Sequence, residues 1–380
     1  MKIAYVSTAE VPSSRANSLQ VMKVCQALVQ VGEEVQLYLP PGPEVEWEEL
    51  AETYGLAERF PILRFPSRPF LRRFDFAFST VAHARKVGID MVYTRMPWTA
   101  LQARARGLKT VLEMHDLPTG RVGPLVYRWY LRNRNPGLTV YITAALKEMV
   151  DQSSGVQARP GEFIIAPDGV DLERFHNLPA VGKARTALNL PVAFTAVYSG
   201  GFYPGRGLDM LEQLAQAFPQ VQFLWIGGST EQVKTWRERL DTKNVRNVTL
   251  TGFIPNSRLP LYQAAADVLL MPYSRSFGGS GGGDIARVSS PLKLFEYLAS
   301  SRAILASDLP VLREVLDEQT AIFYEPENFE DLCRKFATLV SNGNLRRQLG
   351  KAAKASAQAY DWKTRMAGIL KAVVSLPRKK

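Results

Sequence analysis

Short apolar runs alternate with helix-like stretches almost from one end of the chain to the other, and the alternation starts afresh near the middle. Such alternation is the signature of strands joined by crossover helices, hence of parallel α/β sheets. In the first half the runs are KIAYVS, EEVQLYL, DMVYT, KTVLEM, LTVYIT and EFIIAP, with a helix over 18–30 between the first two. The turn-rich segment PDGVDLERF (167–175) follows. The pattern then resumes with FTAVYSG, QFLWIGG, NVTLTG, DVLLMPY, AILAS and AIFYE. Helices are predicted to begin near Arg206, Thr230, Ser257, Pro291, Leu309 and Asn328, and DWKTRMAGILKAVV forms a last amphipathic helix. At 380 residues the chain is too long for one comfortable core. The expectation is two doubly wound, Rossmann-like parallel-sheet domains facing across a cleft, over 1–168 and 169–358, with a separate terminal helix over 359–380.

In open sheets of this kind ligands sit beyond the carboxyl ends of the strands. The second half is therefore informative. FTAVYSG leads into a loop with Gly200, Gly201, Gly205 and Gly207 around Arg206, and QFLWI leads into Gly227 and Gly228. NVTLTG leads into Phe253 and Ile254, and DVLLMPY into a glycine-rich stretch ending in SSPLKLFEYLAS (289–300). There Ser290 suits a helix N-cap and Pro291 the first helical position. Lys293 and Glu296 are three apart and share a face, where a surface pair would add about 0.2–0.5 kcal/mol. Alternatively the helix N-terminus and Lys293 attract phosphate while Glu296 accepts bonds from sugar hydroxyls. Four loops converging on one sheet edge favour the second reading, a phosphate-and-ribose pocket.

Charge and composition narrow the remaining classes. The formal charge is +11, and basic residues mix with aromatics in RFPSRPFLRRFDF (64–76) and LVYRWYLRNRN (125–135). These segments read as a solvated basic face or as a peripheral contact with an anionic membrane surface. No apolar run approaches the roughly 20 residues that span a bilayer. The N-terminus reads as a first strand and not as a secretory signal. Two cysteines, Cys25 and Cys333, argue against a disulfide scaffold and suit a reducing cytosol. A nucleic-acid partner is not expected, because the basic residues are scattered and no recognition module is present. No compact carboxylate–histidine cluster suggests a metal site.

Taken in order, these segments resemble a family 4 retaining glycosyltransferase of the GT-B fold. SPLKLFEYLASSRAILASDLPVLREVL, IIAPDGVDLERF, VYSGGFYPGRGLDMLEQLA and TGFIPNSRLPLYQAAADVLLMPY carry the likeness, supported by SSRANSLQVMKVCQAL and VLEMHDLP. The resemblance implies transfer of a sugar from a UDP- or GDP-sugar to an acceptor hydroxyl, with retention and without a metal or other cofactor. It implies a glycan or lipid-linked acceptor in cell-envelope or exopolysaccharide synthesis, on the cytoplasmic side of the membrane. It makes the first domain the acceptor side and the second the donor side, with the terminal helix crossing back to the first. Glu296 matches the second glutamate of the family's paired motif, which holds the ribose. Arg206 and Lys293 would face the diphosphate, with Gly200, Gly201, Gly227, Ser290 and Leu294 around the donor and Phe253 and Ile254 at the base. His115, in EMHD, matches a histidine near the transferred sugar, which makes His115, Arg206 and Lys293 the catalytic candidates. Asn17, Ser18, Arg95 and Asp284 are candidates for sugar or acceptor contact, and Asn17 and Ser18 also for capping the first helix.

Two departures stand out. The family's first glutamate would fall at Val288, as in SPLK-type relatives that lack it, and Gly201 replaces an arginine. Both leave open a non-catalytic nucleotide-sugar-binding subunit or sensor. A dinucleotide-dependent oxidoreductase would share the α/β pattern, but the first strand runs into STAEVPSSRANS and not into G-x-G-x-x-G.

Overall fold

A computed structural model of the chain describes residues 1–68, 70, 73–118, 120–278 and 286–376. It divides into two compact units, 1–168 with 362–380, and 169–361. The first is built on seven parallel strands: β1 (Lys2–Val6), β2 (Glu34–Leu39), β3 (Ile62–Arg64), β4 (Met91–Thr94), β5 (Lys109–Met114), β6 (Gly137–Tyr141) and β7 (Phe163–Ile165). Their order across the sheet is β3-β2-β1-β4-β5-β6-β7. The second has β8 (Thr195–Ser199), β9 (Gln222–Ile226), β10 (Val248–Leu250), β11 (Val268–Met271), β12 (Ala303–Ser307) and β13 (Ala321–Tyr324). Their order is β10-β9-β8-β11-β12-β13, again all parallel. Two Rossmann-like α/β domains are thus present.

The central strands are apolar at nearly every position because helices cover both faces. β4, β8, β11 and β12 are buried at every residue. β3 was not predicted: its three residues are all half-buried, and an edge strand this short carries little apolar signal.

In each sheet the strand order reverses once, between β1 and β4 and between β8 and β11. The crevice at such a reversal is where an open α/β sheet accepts a ligand, because crossover helices diverge to either side of it. The last helix, Trp362–Val374, buries Trp362, Arg365, Met366, Ile369, Leu370 and Val373 and packs in the first unit, on the first helix (Ala16–Gln30) and β6.

Candidate functional site

At the β8–β11 reversal the strand ends are tied to the Leu292–Ala299 helix. Tyr297 Oη accepts the backbone N–H of Ser199 at 2.8 Å, which pins the helix to the tip of β8. Main chain is brought into close contact here. Gly200 N–H donates to Ile226 O at 2.8 Å and Gly227 N–H to Gly252 O at 2.8 Å. At Gly227 φ is +121°, and a Cβ would lie 2.1 Å from Gly200 O, so only glycine fits. At Gly200 φ is +141°, and a Cβ would lie 2.7 Å from Lys293 Nζ. The space a side chain would need at Gly200 is occupied by the lysine's amine.

The helix starts one residue later than the sequence suggested. Pro291, with ψ 118°, is its N-cap, Leu292 is the first helical residue, and no side chain caps it. Ser290 is therefore not the cap: proline at 291 is held extended and takes that position itself. Leu294 is fully buried, and its N–H already donates to Pro291 O at 2.9 Å.

The surface pair between Lys293 and Glu296 does not form. Glu296 is buried, accepting Asn256 Nδ2 at 2.9 Å and Gln263 Nε2 at 3.2 Å, one on each oxygen. The Arg174 guanidinium in turn donates to Asn256 Oδ1 and O. Each carboxylate oxygen of Glu296 keeps capacity for a further donor such as a hydroxyl. Lys293 as a residue is only half-buried, yet its Nζ is shut off from solvent and meets no acceptor among the described residues. It lies over the rings of Tyr198 at 3.9 Å and Tyr273 at 5.0 Å. Arg206 lies over Tyr273 at 4.8 Å and Phe277 at 4.5 Å, and donates to Gly278 O at 3.3 Å. Two cationic side chains thus share the Tyr273 ring. Burial, and after it Arg206, push the Lys293 pKa well below that of an ordinary lysine. Cation–π contact returns about 0.5–2 kcal/mol, less than the several kcal/mol that burying an ion costs. The pocket is short of negative charge, as an anion site should be.

The remaining candidates of the second unit lie nearby in sequence but contribute differently. Gly201 O accepts the Tyr198 hydroxyl at 2.9 Å. Phe253 is 49% exposed beyond β10, while Ile254 is partly buried against the core. Asp284 lies outside the described residues. Val288, where the family's first glutamate would fall, is buried.

In the first unit, the β1–β4 reversal gathers a second group. Arg95, just past β4, donates to Asn17 Oδ1 and, at 3.4 Å, to Gln20 Oε1. Ser18 Oγ donates to Glu10 O at 2.6 Å, and the first helix is N-capped at Arg15 without a side-chain bond. Asn17 and Ser18 are therefore not its caps; each is engaged by a group outside the helix start. His115 Nε2 lies 2.6 Å from Glu113 Oε1. Glu113, Gln20, Tyr93 and Arg365 complete this group and were not foreseen. One signal was available: residues two apart at a strand end share a face, as Glu113 and His115 do. Contrary to expectation, a carboxylate–histidine cluster exists, with ligand-type atoms of Glu113, His115 and Asp168 within 4.8 Å of one another. It does not suit a cation. The Arg365 guanidinium already spans both Glu113 oxygens, at 3.3 Å and 3.2 Å, and supplies the positive charge a metal would bring.

Comparison with known proteins gives each half of the chain a likeness. Residues 193–342 match the model for glycosyl transferases group 1, and residues 19–174 that for glycosyltransferase family 4. The second half of the chain thus resembles the group 1 glycosyltransferases and the first half glycosyltransferase family 4. Its fold is that of the UDP complex of HepE from Anabaena, with a TM-score of 0.76 at 17% identity over 99% of this chain and 100% of that one. Sucrose-phosphate synthase from Thermosynechococcus elongatus gives 0.75 at 19% identity, over 99% of each chain. Among curated relatives, alpha-galactosylglucosyldiacylglycerol synthase of Streptococcus pneumoniae is 25% identical over 54% of this chain and 55% of its own length. Phosphatidyl-myo-inositol mannosyltransferase of Mycobacterium tuberculosis is 26% identical over 54% and 52%. The chain spans about half the length of these relatives. At the glycine-lined reversal of β8 and β11, the Lys293 amine that meets no acceptor among the described residues, with Arg206 beside it, is the most distinctive chemical feature.

Proposed function

We propose that the protein transfers a glycosyl unit from a UDP- or GDP-sugar to an acceptor hydroxyl, with retention, in glycan or glycolipid synthesis. The observation that carries this reading is the enclosed Lys293 amine beside Arg206, which meets no acceptor among the described residues. A diphosphate satisfies both groups. As the glycosidic bond breaks, negative charge grows on the departing diphosphate, and preorganised cations in a dry site stabilise it more than water would. Glu296, oriented by two amides, would accept the ribose hydroxyls, and His115 would meet the transferred sugar or acceptor. With Val288 at the position of the first glutamate, the sugar's own hydroxyls need another partner, in keeping with an SPLK-type member.

Thermal shift with a panel of UDP- and GDP-sugars, followed by incubation of the best donor with lipid and glycan acceptors, tests the reading. Stabilisation by one donor and product formation are expected. Failure of every nucleotide sugar to bind would sink it. Binding without turnover on any acceptor would favour the second reading, a non-catalytic binding subunit, for which Val288 and Gly201 speak.

The acceptor side of the proposal includes an anionic membrane surface at the cytoplasmic face. Among the described residues no helix is long and apolar enough to cross a bilayer. The Gly123–Arg132 helix and its entry nevertheless expose Val122, Leu125 and Trp129 at spacings that form one stripe, with Arg121, Arg132 and Arg134 exposed beside it. No acidic residue occurs in 121–134. An apolar stripe with basic flanks suits the interface of anionic lipid. Sedimentation with phosphatidylglycerol vesicles should pull the protein down, and Trp129→Ala with Arg132→Glu should release it. Equal binding to phosphatidylcholine vesicles, or no effect of the double substitution, would remove this part of the proposal.

A further inference from the structure

We propose that Glu113 is a positioning residue: it holds His115 as a neutral imidazole protonated on Nε2, leaving Nδ1 as a hydrogen-bond acceptor, and Arg365 of the last helix completes the device. The inference deepens the reading above, on which the part played by His115 rests.

Glu113 is 0% exposed, at the end of β5. Its Oε1 accepts Gln20 Nε2 at 2.6 Å and faces His115 Nε2 at 2.6 Å and Arg365 Nη2 at 3.2 Å. Its Oε2 accepts the Tyr93 hydroxyl and Arg365 Nη1 at 3.3 Å. Burial pushes this carboxyl's pKa up, but Arg365, then His115 and Tyr93, overcome burial and hold it well below the usual carboxylate range. An ionised carboxylate only accepts, so the ring nitrogen 2.6 Å away must carry a hydrogen.

The charged surroundings decide the rest. The ring is 11% exposed and faces Glu113, Arg95 and Arg365; Asp168, Tyr93 and Tyr5 belong to the same buried group. Burial and then Arg95 lower the ring's pKa to about 4, against the opposite pull of Glu113. One carboxylate cannot sustain an imidazolium while Arg365 neutralises it and Arg95 stands by. With Nε2–H committed to Glu113, the Nδ1 lone pair is left to accept from a substrate hydroxyl.

The supports reach through the whole unit. Gln20 places its amide nitrogen on Glu113 while its oxygen faces Arg95, which also donates to Asn17. Arg365, with its side chain 4% exposed, donates Nε to Pro167 O at 2.6 Å and Nη2 to Ala166 O at 2.9 Å. The last helix therefore places a cation in the core of the first unit, where it keeps Glu113 ionised and the ring neutral. A purely structural role would need the Glu113–Arg365 ion pair alone and would be indifferent to the proton on the ring.

Long-range nitrogen–proton NMR of the three histidines, assigned with His83→Gln and His176→Gln, reads the ring directly. The expected result for His115 is the Nε2–H tautomer at pH 7 and a midpoint of about 4, well below that of an ordinary histidine. Glu113→Gln should populate the Nδ1–H tautomer and lower kcat about 10–100-fold, the usual cost of losing an orienting partner, with little change in the donor KM. Because that variant leaves Arg365 uncompensated, Glu113→Gln with Arg365→Gln is the second arm, expected to fold while remaining slow. A native ring protonated on Nδ1, a midpoint near 6.5, or full turnover in the double variant overturns the proposal. An Nε2–H ring together with unimpaired turnover in His115→Gln would instead remove His115 from the reaction, a failure of the functional reading visible apart from that of the tautomer.

Discussion

Replacing Lys293 with methionine lowers turnover about 10²–10³-fold, the usual cost of removing a preorganised charge-stabilising donor, and at the same time raises the melting temperature of the empty protein. The two effects share one cause. In the empty pocket the amine meets no acceptor among the described residues, and burial together with Arg206 disfavours its charged form. Methionine has similar length, fills the space over Tyr198 and Tyr273, and carries no solvation penalty. Because the folded pKa lies below the unfolded one, the unfolded chain binds the extra proton, so the native lysine destabilises most at low pH. The gain from methionine should shrink as pH rises toward about 10.4, where a free lysine also loses its proton. A diphosphate reverses the balance by giving the ammonium a counter-charge. Donor binding by the native protein should therefore take up a proton, and affinity should fall with rising pH, by at most about tenfold per unit for one proton. Calorimetry in two buffers of different ionisation enthalpy measures the uptake. Identical heats in both buffers, together with unchanged donor affinity in Lys293→Met, would refute the role of the amine.

Glu296→Ala should weaken donor binding about 10–100-fold, because a hydrogen bond to a charged group is worth about 1.5–3 kcal/mol, while kcat at saturating donor falls less. It should also destabilise the second unit. Asn256 Nδ2 and Gln263 Nε2 lose their acceptor, and Arg174, which donates to Asn256, loses the nearby negative charge. Glu296→Gln does not rescue this, since its amide brings a donor toward donors already in place. The split between Kd, measured by calorimetry, and kcat, measured by product formation, separates ribose binding from stabilisation of the departing diphosphate. If Glu296→Ala binds the donor like the parent, the pentose is held elsewhere.

The two substitutions also mark how far local pattern reaches. Lys293 and Glu296 were visible as polar residues in an apolar helix, and the glycines at 200 and 227 as places of close backbone approach. The alternative of a surface pair between 293 and 296 could not be set aside by spacing alone, because spacing on a helix face reports which side chains can meet and is silent about distant competitors. Glu296 is taken by amides 33 and 40 residues away in the chain. In the same way β3 escaped notice because an edge strand of three residues shows almost no periodicity.

Hydrophobic alternation, proline and glycine act within a few residues of themselves, so the linear chain was enough to dictate two parallel sheets, their crossover helices and the strand ends where a ligand belongs. The partners of buried charges come from closure of the whole fold: Gln20, Tyr93 and Arg365 lie 93, 20 and 252 residues from Glu113. Such a group must find compensation wherever the packed backbone offers it, and no local period encodes that place. That the Lys293 amine at β8 meets no acceptor among the described residues, and that a nitrogen of His115 meets Glu113, were therefore decided in three dimensions.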